Sequence, residues 1–193
     1  MPDITSGESF IYSNNHLELS DNIHGFKQWA FQPGMLFESR EFWWNTDKKR
    51  TAPHEGLDFH YYLDKGGVIR HIDEFFEVKA ISKGTVQKMM ADFLGISICI
   101  RHESIRDGNC TLHSIYGHVK TGENIEKGVS VCKNGFIGTL APQMKSNQAP
   151  PHLHLTLCWI ADGFKVEQEL SWRNLADNPN IILIDPLWFH LPG

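Results

Sequence analysis

The chain has 193 residues, 41% hydrophobic and 21% charged, which fits one domain with its own core and excludes disorder throughout. A formal net charge of -5 is mild and argues against a dominant nucleic-acid interaction, which calls for a basic patch. No apolar run reaches the roughly 20 residues of a membrane-spanning helix, and the first seven residues have neither the basic nor the apolar region of a secretory signal. As written, the sequence is that of a cytoplasmic protein, or of one that reaches the cell envelope by another route or from a longer precursor. Its oligomeric state is not legible.

Taken in chain order, residues 1–30 are polar and aromatic without a clear period and read as an N-terminal extension that wraps a domain over 31–193. Trp43-Trp44 followed by Asn45 to Arg50 reads as a strand end running into a charged turn. Ile96, Ile98 and Ile100 alternate as one face of a strand, and Leu153, Leu155 and Leu157 do the same. Glycines between Gly84 and Gly138 separate short strands. The expected fold is mostly β: a compact antiparallel sheet, sandwich or partial barrel with few short helices. One helix is expected over Ser171–Ala176, with Ser171 as N-cap. Cys99, Cys110, Cys132 and Cys158 have no CxxC pairing and read as free thiols.

Two short motifs carry chemistry: His54-Glu55-Gly56-Leu57-Asp58 and His152-Leu153-His154. Side chains alternate along a strand, so His152 and His154 point the same way while the leucines face the core. A hydrolytic zinc site uses three protein ligands and keeps a fourth position for water. His54, Asp58 and one histidine of the HxH pair supply that set, leaving the other as a base or oxyanion stabiliser. His60, His71, His102 and His190 read as surface or hydrogen-bonded histidines, most tryptophans as core, and Trp43 and Trp44 as groove residues. Glu55, in a strand, would point away from His54.

These motifs, with their surroundings, resemble the lysostaphin-type (LytM-like) zinc metalloendopeptidases, which cleave peptide bonds in bacterial peptidoglycan. The resemblance runs from about Phe31 to Leu187 and includes the strand-like segments at Ala80–Val86 and Ile98–His102. Val119 to Gly128 is similar to the family's VxxGxxVxxG turn, Pro151-His152-Leu153-His154-Leu155 to its HLHF-like strand, and Asp185-Pro186-Leu187 to its closing segment. Ala149-Pro150-Pro151 stands where a glycine is usual. The resemblance implies the duplicated-hybrid-motif fold and one zinc ion per chain on His54, Asp58 and His154. It makes His152 catalytic and the substrate a peptide of peptidoglycan cross-links or stems. It also implies a second catalytic histidine before the turn, either His113 or His118. His113 is favoured by its spacing, because His118 directly abuts Val119. The alternative function is a non-catalytic zinc-binding or regulatory module of the same fold.

Overall fold

The computed structural model describes residues 10–13, 17–45, 47–143 and 149–191. In chain order its strands are β1 (Ile11–Ser13), β2 (Phe26–Phe31), β3 (Leu57–Phe59), β4 (Tyr61–Asp64), β5 (Ile69–His71), β6 (Glu77–Lys79), β7 (Gly84–Ala91), β8 (Ile96–Asp107), β9 (Cys110–Thr121), β10 (Ser130–Val131), β11 (Phe136–Leu140), β12 (Leu153–Ala161) and β13 (Ile181–Ile184). A turn of 3-10 helix covers Pro33–Met35, and one short α-helix, α1, covers Val166–Glu169. The fold is mostly β and antiparallel, as the strand patterns imply.

One sheet has four strands in the order β1-β2-β4-β5, and the other has nine, built around β7, β8, β9 and β12. β9 is the spine of the larger sheet. One of its edges pairs with β8, and the other with β12 along Cys110–Gly117 and with β11 along Val119–Thr121. Paired on both edges, its residues from Thr111 to Val119 are all buried.

The two faces of this sheet bury different clusters. Ile98, Ile100, Tyr116, Leu153, Leu155 and Leu157 join the main core with Trp29, Phe31 and Phe59. On the other face Cys99, Ile115, Cys158 and Ile160 pack under Phe164, Val166, Leu170 and Leu175. Burial of each such side chain contributes about 1.5–3 kcal/mol. On β12 the face that carries His154 and Thr156 therefore continues as Cys158 and Ile160 into apolar packing. The polar site occupies only one end of that face.

Two expectations meet a different arrangement. Ser171–Ala176 forms hydrogen-bonded turns, and the helix lies just upstream at Val166–Glu169. Ser171 donates its amide and hydroxyl to Asn174 Oδ1 at 2.9 and 3.0 Å, local bonds that compete with helix. Leu170 and Leu175 both dip into the second cluster. At the N-terminal end, the division at residue 30 falls inside β2, and Leu17, Leu19 and Trp29 belong to the main core. Residues 1–9 and 14–16 of that segment lie outside the described residues. Among the described residues no helix is long and apolar enough to cross a membrane.

Candidate metal centre

Strand register brings the first two site residues together. β3 pairs with β12 so that Asp58 lies directly opposite His154, between Leu57–Leu155 and Phe59–Leu153 pairs whose side chains fill the core. Opposed residues have Cβ atoms about 5 Å apart on one face. His54 reaches the same point from the irregular segment before β3, with Gly56 pressed against the backbone of Leu155.

The donor atoms converge tightly. His54 Nε2 is 3.1 Å from Asp58 Oδ1 and 3.0 Å from His154 Nδ1, and His154 Nδ1 is 2.9 Å from Asp58 Oδ1. All three residues are buried. The outer atoms are held by protein. His54 Nδ1 donates to Leu36 O at 2.9 Å, and His154 Nε2 pairs with Thr156 Oγ1 at 2.9 Å. Asp58 Oδ2 accepts from Trp43 Nε1 at 2.9 Å and from Arg50 at 3.3 Å. Each ligand candidate thus turns one atom inward while a second is fixed by an outer partner, the usual setting of metal-binding histidines. Two imidazole nitrogens and a carboxylate oxygen suit zinc. Burial alone would raise the Asp58 pKa, but the facing His54 and His152 rings and the hydrogen bonds from His154 and His54 hold it well below the ordinary range.

His152 precedes β12 and is fully enclosed. Its Nδ1 donates to Pro150 O at 2.8 Å, whereas Nε2 has no hydrogen-bond partner among the described residues and stands 3.8 Å from Asp58 Oδ1. Trp43 and Trp44 hold the ring at centroid distances of 5.3 and 5.4 Å. Burial pushes its pKa down to about 3. An orphaned buried nitrogen beside three converging donors is what a site built for a metal and its substrate would present.

The structure does not bring His113 to this cluster; it brings His118. His113 shares the face of His154 but pairs with Cys158, four residues along the ladder from the Gly117–His154 pair. At about 3.3 Å per residue that is ~13 Å away, beyond the Ile115–Thr156 pair. There His113 Nε2 meets Gln87 Oε1 at 3.0 Å and Nδ1 donates to Thr111 O at 2.9 Å, and burial pushes its pKa down to about 4. His118 instead lies 4.7 Å from His152 and 6.0 Å from His154 between ring centroids. It sits in a β-bulge: Tyr116 and Val119 pair with Ile98 and Ile96, so Gly117 and His118 together oppose Ser97. His118 has φ 64°, a conformation uncommon for a residue with a side chain. The bulge turns its ring out of the strand's alternation and onto the site.

A cleft of about 610 Å³ lies over the cluster, walled by Phe42, Trp44, Phe93 and Trp172 with Arg173 at its edge. Trp44 lines it as expected, whereas Trp43 is occupied in holding Asp58 and His152 from behind. Glu55 also lines the cleft, because its segment is irregular and strand alternation does not apply. His60 bonds to Pro151 O, and His102 to Lys83 O and Ser114; neither enters the cleft. Asp92, Arg50, Thr156 and Trp172 are contacts of the site with no motif in the sequence. The glycine just before His118 was the available signal, since an isolated glycine in a strand marks a bulge or a close approach.

No protein-family model matches the sequence, and no curated protein matches it. Solved structures similar to the chain include a zinc-containing peptidase from Vibrio cholerae, at 17% identity and a TM-score of 0.48, covering 81% of this chain and 36% of that one. The chain thus spans about a third of the length of that peptidase. Another is the catalytic domain of a prophage-encoded M23 protein, EnpA, from Enterococcus faecalis, at 14% identity and a TM-score of 0.44, covering 94% and 92% of the two chains. A third is a LytM described as a putative glycyl-glycine endopeptidase from Ruminococcus gnavus, at 16% identity and a TM-score of 0.44, covering 96% and 54%.

Proposed function

We propose that this chain is a zinc-dependent metalloendopeptidase of the lysostaphin type, acting on peptide bonds of peptidoglycan cross-links or stem peptides. The observation that carries the reading is the convergence of His54 Nε2, Asp58 Oδ1 and His154 Nδ1, with two further histidines beside them at the floor of an aromatic cleft. In this reading the three residues hold one zinc ion. A zinc ion bound there would supply Lewis acidity, polarising a peptide carbonyl and acidifying water.

The remaining work falls to the chain's own groups. His152, anchored through Nδ1 on Pro150 O, turns its free Nε2 toward the reacting centre and takes the proton of the attacking water. His118, whose ring lies 4.7 Å from that of His152, accepts from the attacking water through Nε2 and orients it, and His152 passes the proton it took to the leaving amine. Trp43 and Arg50 fix Asp58 through Oδ2 and leave Oδ1 for the metal. Trp44 and Phe93 exclude water and flank the extended substrate.

The test is zinc content by elemental analysis of wild-type protein and of His154→Ala. The expected result is about one zinc per wild-type chain and almost none in the variant. A His154→Ala protein that keeps a full equivalent of zinc contradicts the ligand set.

A further inference from the structure

Asp92 lies on the turn between β7 and β8, outside every motif of the sequence, with its side chain only 3% exposed. Its Oδ1 accepts from the amides of Leu94 at 2.9 Å and Gly95 at 2.7 Å, and from His118 Nδ1 at 3.0 Å. Its Oδ2 accepts from the His118 amide at 2.9 Å and the Ser97 hydroxyl at 2.6 Å. Ser97 Oγ in turn accepts from Trp172 Nε1 at 3.1 Å, and the Trp172 ring packs edge-on against His154 at 5.2 Å. Burial by itself would raise the Asp92 pKa, but these donors, His118 foremost, hold it well below the ordinary aspartate range.

We propose that Asp92 is the positioning residue of His118. By accepting the Nδ1 hydrogen it fixes the ring in one tautomer and leaves Nε2 facing the cleft beside His152. The geometry supports this at two levels. The carboxylate grips both the backbone amide and the ring of His118, so it stabilises the left-handed bulge conformation and the ring orientation together. Such a backbone conformation is unfavourable for a residue with a side chain, and the amide bond to Asp92 offsets that cost. The loop amides and Ser97 keep the carboxylate from turning toward any other donor, and Trp172 ties that brace to the ring of His154. Which nitrogen of a histidine carries the proton is set by the bond its other nitrogen makes, and this charge-assisted bond is stronger than a neutral one. The proposal rests on the reading of His118 as a participant in hydrolysis.

Its test combines proton–nitrogen correlation spectra of the imidazoles at mildly alkaline pH with steady-state kinetics on a peptide substrate. Both are measured on zinc-loaded wild type, Asp92→Ala and Asp92→Asn. In wild type, His118 should carry its proton on Nδ1; in Asp92→Ala the signal should shift toward the Nε2–H form. The kcat of that variant should fall by about 100-fold with KM within about twofold and zinc content unchanged. Asp92→Asn, which keeps the shape of the turn, should fall by about 10-fold with mixed tautomers, and it decides the matter if the alanine variant does not fold. A wild-type His118 protonated on Nε2 overturns the proposal, as does a variant that keeps the Nδ1–H form together with full kcat. If wild type hydrolyses no peptide, the functional reading fails, and the spectra alone still decide the role of Asp92.

Discussion

Gly117 on β9 and His154 on β12 are register partners, and a side chain at 117 would press tightly against the base of the His154 side chain. A Cβ at 117 would stand 3.2 Å from the His154 Cβ and 3.5 Å from its Cδ2. With no side chain at 117, the Cδ2 edge of His154 rests against β9 while its Nδ1 faces Asp58 and His54. Gly117→Ala should therefore tilt the ring and weaken zinc binding by about 10- to 100-fold, the range seen when the support of a metal ligand is disturbed. Competition with a zinc chelator measures this, and unchanged affinity would mean the close approach is not needed.

His118 and His113 should separate cleanly by substitution. His118→Ala is expected to lower kcat by about 100-fold or more while zinc stays bound. His113→Ala is expected to keep kcat within about threefold and instead to lose stability, because it empties a buried, hydrogen-bonded position. Kinetics and urea denaturation on the two variants check this; the reverse pattern would return the catalytic role to His113.

Stability should fall in acid in part because of His113. Its pKa is about 4 in the fold against about 6.5 in an unfolded chain. The unfolded state therefore binds more protons between those values. The contribution is complete above pH ~6.5, declines as pH falls toward ~4 and is absent below, about 3 kcal/mol in all. His113→Gln should flatten the dependence of unfolding free energy on pH across that window relative to wild type. Equal slopes in the two proteins would show that His113 titrates normally in the fold.

Trp43 should matter through one atom. Its Nε1 donates to Asp58 Oδ2 at 2.9 Å, and Trp43→Phe removes that donor while keeping most of the packing against His60 and His152. Zinc affinity is expected to drop by roughly 10-fold, read by the same competition assay. No change would assign the orientation of Asp58 to Arg50 alone.

What the sequence made legible follows from how local each cause is. The alternation of Leu153, Leu155 and Leu157 is a two-residue pattern, and it marks the core face of β12 and leaves His154 on the other. The resemblance of the motifs picked out His54, Asp58 and His154, which the structure brings together. The opposition of Asp58 and His154 is a register between segments nearly a hundred residues apart, invisible to any local period. Spacing favours His113 over His118 because alternation and spacing assume a regular strand, and the bulge at Gly117-His118 breaks both. His113 fits the strand pattern because alternation reports the face and not the distance along it. The turn at Ser171–Ala176 looked helical because the pull of Asn174 on Ser171, and of the second cluster on Leu170 and Leu175, is tertiary or side-chain in origin.

The most direct measurement is digestion of soluble peptidoglycan fragments by the wild-type protein, read by mass spectrometry before chelation, after chelation and after zinc is returned. The expected result is new peptide ends that disappear with chelator and reappear with zinc. Cleavage that persists in full after the metal is stripped, or no cleavage of any fragment by protein carrying a full equivalent of zinc, would contradict a zinc peptidase built on His54, Asp58 and His154.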